Sequence, residues 1–187
     1  MGGCTVIKAP CGLPVADPPS LAEEQNCTLV RNFIEQVWNH AWTAAENAQF
    51  LQEKQGGNHE FVPPAVAAAL GQFCSPATIR HRQAANGDPI RSGGPGDYEN
   101  CINLVHEVMP DLRIEILHVV GQDDRVFAQI RLSGTHRRLD GNGTKLGAFG
   151  LPDTSWSFDL QTATLYRIEN GRIAEDWLLY GARPTFR

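Results

Sequence analysis

Residues 166–177 read YRIENGRIAEDW, and this stretch decides the fold. Its centre, Asn170-Gly171, is the residue pair that two-residue hairpin turns favour, because both positions take a positive φ. Apolar residues alternate with polar ones on both sides of the pair, so the sequence predicts one strand over residues 155–168 and another over residues 173–180. The C-terminal end of the chain is therefore predicted to be a β-hairpin.

Two further strands are predicted immediately before this hairpin. Residues 112–120 and 125–136 each alternate between two side-chain sets, and residues 121–124 form the turn between them. Residues 139–153 are rich in Gly and turn formers, as expected of a long hairpin loop. The last third of the chain thus contains four consecutive antiparallel strands.

The first part of the chain is predicted to be helical. A helix begins after Ser20, which forms a capping box with Glu23, and its apolar stripe runs to Trp38. Further helices are expected over residues 42–54, from Pro63-Pro64 to about residue 73, and over residues 98–109. Residues 77–82 suggest a short strand, and residues 86–97 a loop rich in Gly and Pro.

These elements favour an α+β fold, in which three to four N-terminal helices close a cone-shaped, curved antiparallel sheet around an apolar pocket. Residues 1–20 lack an apolar period and contain many Pro and Gly residues, so we expect a flexible N-terminal arm. Residues 21–187 are then expected to form a single domain, and their number is ordinary for one domain.

Composition excludes several classes of protein. The chain has 16 Lys and Arg against 21 Asp and Glu, a net charge of −5, which argues against a nucleic-acid partner. No stretch approaches the roughly 20 apolar residues of a membrane helix, and no secretion signal is recognisable. The five cysteines are irregularly spaced, so we expect reduced thiols, no zinc site and a cytoplasmic protein. Phosphate-loop, dinucleotide and nucleophile-elbow motifs are absent from the sequence, so no cofactor is expected.

Several sequence words resemble one superfamily. They are Val37-Trp38-Asn39, Ile79-Arg80-His81, Met109-Pro110-Asp111-Leu112-Arg113, Gly134-Thr135-His136 and the closing stretch 166–177. Together they resemble the SnoaL-like polyketide cyclases and ester cyclases of the nuclear-transport-factor-2-like superfamily, over residues 24–181. The resemblance implies acid/base catalysis by an Asp four residues after the closing Trp, but this position is Gly181 here.

Strand parity suggests other acid/base candidates. His118, His136 and Glu175 each share parity with the apolar residues of their own strand, if no β-bulge intervenes. We therefore predict that these three residues face the pocket and are catalytic. Asp159 has the opposite parity and becomes the pocket acid only if a bulge reorients its strand.

Other residues are predicted to bind the substrate. His81 corresponds to a position that lines the pocket in the resembling proteins. Aromatic side chains would suit a flat, cyclic substrate, because they offer apolar surface and stacking. The aromatic candidates are Trp38, Tyr98, Trp156 and Trp177.

The leading hypothesis is therefore a cofactor-independent cyclase or isomerase of secondary metabolism, acting on an apolar, oxygenated polyketide- or terpenoid-like intermediate. An enzyme that opens epoxides, a dehydratase, and a non-catalytic module that binds hydrophobic ligands remain alternatives on the same fold. The resemblance implies carboxylates with an Arg between them for epoxide opening, so a pair of inward acids with Arg131 or Arg167 would favour that reaction. We also expect a homodimer, because the second sheet face is too apolar to stay exposed to water. The residues on which this expectation rests are Leu117, Val119, Phe127, Leu165 and Leu178.

Overall fold

The computed structural model describes residues 18–58, 61–83, 89–136, 156–179 and 185–186. The arm predicted for residues 1–20 lies outside these ranges, apart from its last three residues. The helices are α1 (Leu21–Phe33), a π turn (Ile34–Trp38), α2 (Ala44–Gln55), α3 (Pro64–Phe73) and α4 (Pro95–Val108). The strands are β1 (Cys74–Gln83), β2 (Pro89–Gly93), β3 (Arg113–Gln122), β4 (Arg125–His136), β5 (Trp156–Glu169), β6 (Arg172–Leu179) and β7 (Thr185–Phe186).

The predicted α+β class is confirmed. The strands form a curved, open sheet in the order β2-β1-β6-β5-β4-β3, and β7 pairs with β5. The four predicted C-terminal strands are neighbours in this order, and all their mutual pairings are antiparallel. β1 joins β6 in parallel, which adds a strand from the helical part of the chain to the sheet.

One prediction for the loop before α4 is wrong. Residues 89–93 form strand β2, which pairs with β1 in an antiparallel ladder. Pro and Gly at its two ends suggested a loop, yet Pro89 occupies the first position of an edge strand, where its missing N–H is tolerated.

Helix α1 begins where the sequence places it. Ser20 Oγ accepts a hydrogen bond from the Glu23 backbone N–H, and Glu23 accepts one from the Ser20 N–H at 2.6 Å. The helix then widens into the π turn, in which the Asn39 N–H donates to the Ile34 carbonyl. π turns often occur at functional sites, and this one brings Ile34 and Trp38 to the cavity described below.

The helices pack against one face of the sheet. Their buried side chains form a single core with the inward residues of β3, β4, β5 and β6. Asn39 connects the end of the π turn to edge strand β3. Its Nδ2 donates a hydrogen bond to the Ile114 carbonyl, and its Oδ1 accepts one from the Ile114 N–H. In the described part of the chain, no helix has the length and apolarity required to cross a membrane.

Strand β3 approaches α1 closely at Gly121, and this contact gives a first prediction. A Cβ atom at Gly121 would lie 3.0 Å from both the Cys27 sulfur and the Glu23 carbonyl oxygen. We expect Gly121→Ala to lower the free energy of unfolding by about 1–3 kcal/mol, as overpacking of a core usually does. Urea unfolding followed by circular dichroism measures this loss.

Gly71 in α3 is the matched control. A Cβ atom there meets nothing within 4 Å, so Gly71→Ala should stabilise the protein by about 0.5–1 kcal/mol through helix propensity. Equal effects of the two substitutions would show that the contact with α1 is unimportant.

Candidate functional site

The concave face of the sheet and the helices enclose a cavity of about 400 Å³. Its walls are mainly apolar, and its polar groups lie together on β1, β2, β5, β6 and the first turns of α4. Such a combination of apolar walls and a few convergent polar groups is typical of small-molecule sites. The apolar lining residues include Ile34, Trp38, Leu104, Ile114, Ile130, Leu132, Leu160 and Leu178.

Four polar lining residues form one row across the sheet. Tyr166 on β5 pairs with Asp176 on β6, Asp176 pairs with Arg80 on β1, and Arg80 pairs with Ser92 on β2. Paired residues on adjacent strands point to the same face of a sheet, so all four side chains reach the cavity. The polar end of the cavity is therefore built by strand register.

Asp176 is the acid at the centre of this row. It is 2% exposed, and Arg82 Nη2 donates a hydrogen bond to its Oδ2. Arg80 Nε lies 3.8 Å from Oδ1, which is an ion-pair distance but too long for a hydrogen bond. Neither Asp176 Oδ1 nor Arg80 Nε has a hydrogen-bond partner within the described ranges. One oxygen of this buried carboxylate is thus left without a hydrogen-bond donor.

Arg80 links Asp176 to a second acid, Asp97, at the start of α4. Its Nη1 donates to the Asp97 carbonyl at 2.9 Å and to Asp97 Oδ2 at 3.0 Å. Ser92 Oγ donates to the same Oδ2 at 2.6 Å. The guanidinium also lies 4.1 Å above the ring of Tyr98, which is within cation–π range. Arg80 is therefore held between two carboxylates and an aromatic ring.

The ionisation states follow from these surroundings. Burial lowers the pKa of Arg80, but the electrostatic influence of Cys101, Tyr98 and Asp176 outweighs burial and raises it above its ordinary value. Arg80 is thus a permanent cation. Burial, reinforced by the charge of Asp176, raises the pKa of both Tyr98 and Tyr166. Tyr166 therefore presents a protonated hydroxyl to the cavity, which can donate a hydrogen bond.

The prediction that Glu175 faces the pocket is wrong. β5 and β6 shift register between two pairs, Arg167↔Glu175 and Ile168↔Ile173, so that Ala174 is an additional residue on β6. This β-bulge reverses the parity of the rest of the strand, and Asp176 turns inward in place of Glu175. Asp159 does not replace it either, because its carboxylate lies on the outer face and pairs with Arg131.

His81 and Trp177 are also on the outer face, contrary to the prediction that they bind substrate. Their rings stack 4.6 Å apart, and His81 Nε2 lies 2.8 Å from Glu175 Oε2. Arg167 donates to the other oxygen of Glu175 at 2.9 Å. The contacts with His81 and Arg167 outweigh partial burial and lower the pKa of Glu175, so this carboxylate is ionised. The four side chains form a polar cluster outside the cavity.

His118 is exposed and does not line the cavity. A register shift between Ile116 and His118 reverses the parity of β3, so that Val119 is buried in the core instead. The parity argument failed here for the same physical reason as at Glu175.

The remaining predicted residues have mixed outcomes. Trp38 lines the cavity as predicted, whereas Tyr98 is fully buried beneath Arg80 and is not a lining residue. His136 and Trp156 pair with each other at the ends of β4 and β5, and their side chains lie outside the described part of the structure. Gly181 lies outside it as well.

Sequence reasoning thus missed the polar row itself. Arg80 and Asp176 both belong to sequence words that resemble the family. Arg80 directly precedes the predicted His81, and Asp176 lies between the predicted Glu175 and Trp177. No local signal reveals the bulge at Ala174, so the correct face could not be assigned. Among the residues described, no group of three or more His, Cys, Asp or Glu side chains is arranged to hold a metal ion.

Alkaline pH should destabilise the fold. Burial and the charge of Asp176 raise the pKa of the Cys74 thiol to about 12, whereas thiols in unfolded chains titrate near about 8.5. At pH values between these two pKa values, the folded protein retains a proton that the unfolded chain releases. The free energy of unfolding therefore falls as the pH rises, by about 1.4 kcal/mol per pH unit. Urea unfolding at pH 8, 9 and 10 with reductant present should show this slope.

Cys74→Ala is the control for this pH dependence. The difference between the wild type and this variant isolates the contribution of one thiol, and we expect it to shrink steadily above about pH 8.5. A constant difference would contradict the assignment.

Comparisons with known proteins agree with the architecture. A family model described as SnoaL-like polyketide cyclase matches residues 28–187. A protein from Jannaschia sp. CCS1, provisionally named a SnoaL-like polyketide cyclase, is 17% identical over 88% of this chain and 90% of its own, with a TM-score of 0.57. A protein from Acidithiobacillus ferrooxidans, provisionally named a polyketide cyclase, is 16% identical over 86% and 90%, with a TM-score of 0.53. Such low identities show the fold alone, and no curated protein matches the chain in sequence.

Proposed function

Because the chain belongs to the SnoaL-like polyketide cyclase family, we propose that it is a cofactor-independent acid/base enzyme of the cyclase or isomerase type. Its substrate is an apolar, oxygenated, cyclic intermediate such as a polyketide or terpenoid. The observation that carries this proposal is the buried carboxylate of Asp176, which lies at the polar end of a mainly apolar cavity and has one oxygen without a hydrogen-bond partner among the described residues.

The polar row suggests a role for each residue. Asp176 removes a proton from a carbon next to a substrate carbonyl, as a general base. The negative charge then develops on the carbonyl oxygen, where the Tyr166 hydroxyl and the cationic Arg80 can stabilise it. The apolar walls hold the substrate in the reactive conformation, which itself accelerates ring closure.

Proton exchange tests this proposal without knowledge of the natural substrate. We would incubate the protein with the bicyclic ketone 2-tetralone in D₂O and follow deuterium incorporation next to the carbonyl by NMR. Exchange faster than in buffer, and lost in Asp176→Asn, is the expected result. Exchange at the buffer rate would contradict general-base catalysis at this site.

Epoxide opening is the second candidate, and a specific observation favours it. Arg80 lies between two acids from different elements, 3.0 Å from Asp97 Oδ2 and 3.8 Å from Asp176 Oδ1. In this reaction Asp176 would activate a water molecule, and the cationic Arg80 and the Tyr166 hydroxyl would stabilise the negative charge that develops on the epoxide oxygen. With cyclohexene oxide in H₂¹⁸O, the diol would gain one ¹⁸O atom. Cyclisation or isomerisation would incorporate none.

The outer sheet face supports a homodimer. One row of side chains crosses five strands on the outer face, because each residue of the row pairs with the next one on the neighbouring strand. From β3 to β1 the row consists of Val120, Phe127, Leu165, Trp177 and His81. Phe127 is 38% exposed and Val120 is 45% exposed. Its apolar members, Val120, Phe127, Leu165 and Trp177, form a contiguous strip, and such a strip is seldom left in contact with water. Two residues of the original expectation do not contribute, because Val119 is in the core and Leu178 lines the cavity.

We therefore predict a dimer in solution. Sedimentation at micromolar concentration should give twice the 20.5 kDa chain mass, and Phe127→Glu should shift the protein to monomer while its circular dichroism spectrum is unchanged. A wild-type protein that sediments only as a monomer would refute the prediction.

A further inference from the structure

The cavity contains a thiol that the proposed acid/base chemistry does not use. One face of α4 lines the cavity, and its residues recur at the spacing that places side chains on the same side of a helix. They are Asp97, Asn100, Cys101 and Leu104. Cys101 is half-buried and free, whereas Cys27 and Cys74 are buried in the core. Among the cysteines in the described ranges, only Cys101 is a cavity-lining residue.

Cys101 lines the same cavity as Arg80, the cation of the site. Loss of the thiol proton gives the thiolate, which is the nucleophilic form of cysteine. The same cation can stabilise negative charge on the oxygen of a bound carbonyl compound.

A second, independent observation indicates that this end of the cavity receives a ligand. Asp176 Oδ1 and Arg80 Nε are buried, line the same cavity, and have no hydrogen-bond partner in the ranges described. Side chains that are 2% and 3% exposed seldom leave polar atoms unsatisfied unless another group completes them. A ligand carbonyl oxygen can accept from Arg80 Nε, and the surrounding apolar walls favour an uncharged molecule.

We propose that Cys101 is a covalent attachment site for neutral, apolar α,β-unsaturated carbonyl compounds bound in the cavity. The thiolate sulfur forms a bond to the β-carbon, and the π electrons of the C=C bond move to the carbonyl oxygen, giving an enolate. The enolate then takes a proton at its α-carbon, and the proton lost from the thiol goes to solvent. The net step is addition of S–H across C=C, which needs no oxidant or reductant.

Binding before reaction gives a kinetic signature. An apolar probe held beside the thiol reacts at a high effective concentration, and its rate saturates once the cavity is full. A thiol that is merely accessible reacts in proportion to probe concentration. A charged probe should show no such increase in labelling rate, because the apolar walls disfavour a buried charge.

The experiment compares two maleimides with the full-length wild-type protein. N-Cyclohexylmaleimide is apolar, N-(2-carboxyethyl)maleimide is anionic, and N-acetylcysteine calibrates their intrinsic reactivities. Peptide-mapped mass spectrometry follows labelling of Cys101 separately from the other four cysteines. We expect a saturating rate and a calibrated preference of at least about 10-fold for the apolar probe. A linear rate with no preference would overturn the proposal.

Two variants make the test specific. Cys101→Ser should abolish the saturable adduct. In that background, Leu104→Cys places a thiol one turn along the same cavity-facing side of α4, at a position where Leu104 is 46% exposed. The more exposed thiol should label without the apolar preference. If the thiol introduced by Leu104→Cys labelled with the same saturation and preference, the assignment to Cys101 would be wrong.

Discussion

Replacing Asp176 with Asn should lower kcat/KM by about 10²–10⁴-fold, which is the usual contribution of a positioned general base. The amide occupies the same volume and can still accept a hydrogen bond from Arg82, but it cannot take a proton from the substrate. Deuterium exchange into 2-tetralone measures the loss, and circular dichroism checks the fold.

The adjacent residue provides an unusually close control. Glu175→Gln removes a carboxylate one position earlier on the same strand, but that carboxylate lies on the outer face and bonds His81 and Arg167. We expect the exchange rate of this variant to stay within about 3-fold of the wild type, since the group touches no cavity residue. If Asp176→Asn kept the wild-type exchange rate and Glu175→Gln lost it, Glu175 rather than Asp176 would face the cavity. That outcome would refute the proposed site.

The largest loss of stability should follow from Arg80→Ala. This substitution leaves the buried carboxylate of Asp176 with Arg82 as its remaining ion-pair partner, and it removes the cation–π contact with Tyr98. Breaking a buried ion pair by removing one member costs about 3–5 kcal/mol. Urea unfolding at pH 7 measures the loss.

Arg131→Ala is the matched control for this experiment. Arg131 also pairs with an aspartate across the sheet, Asp159, but both side chains are exposed to solvent. Exposed ion pairs contribute little because water and salt screen them, so the urea midpoint should hardly change. Equal losses in the two variants would show that burial does not determine the strength of the Arg80 interactions.

Local features of the fold were predictable from the sequence, whereas a pairing between strands was not. The capping box at Ser20 and the bounds of β4 were predictable, because hydrogen bonding within a turn and strict alternation are local signals. Strand β2 was not, because its pairing with β1 overrides the Pro and Gly at its ends.

The site was less predictable than the fold for one physical reason. Side-chain parity along a strand propagates from residue to residue, so a single bulge changes the face of every residue beyond it. The bulges near His118 and at Ala174 therefore overturned two of the three catalytic predictions. The acid that lines the cavity, Asp176, is adjacent to the predicted Glu175, and Arg80 on β1 is adjacent to the predicted His81.

The additional residue at Ala174 has an evolutionary consequence. Because Glu175 and Asp176 are consecutive, β6 carries a carboxylate for the cavity in either register. If Ala174 took a regular place in the ladder, the two acids would exchange faces without a change in either side chain, whereas deletion of Ala174 would remove the bulge and leave both acids on their present faces. The acid that faces the cavity can thus change through strand pairing alone, and an alignment that compares residue types column by column would record no change at either acid.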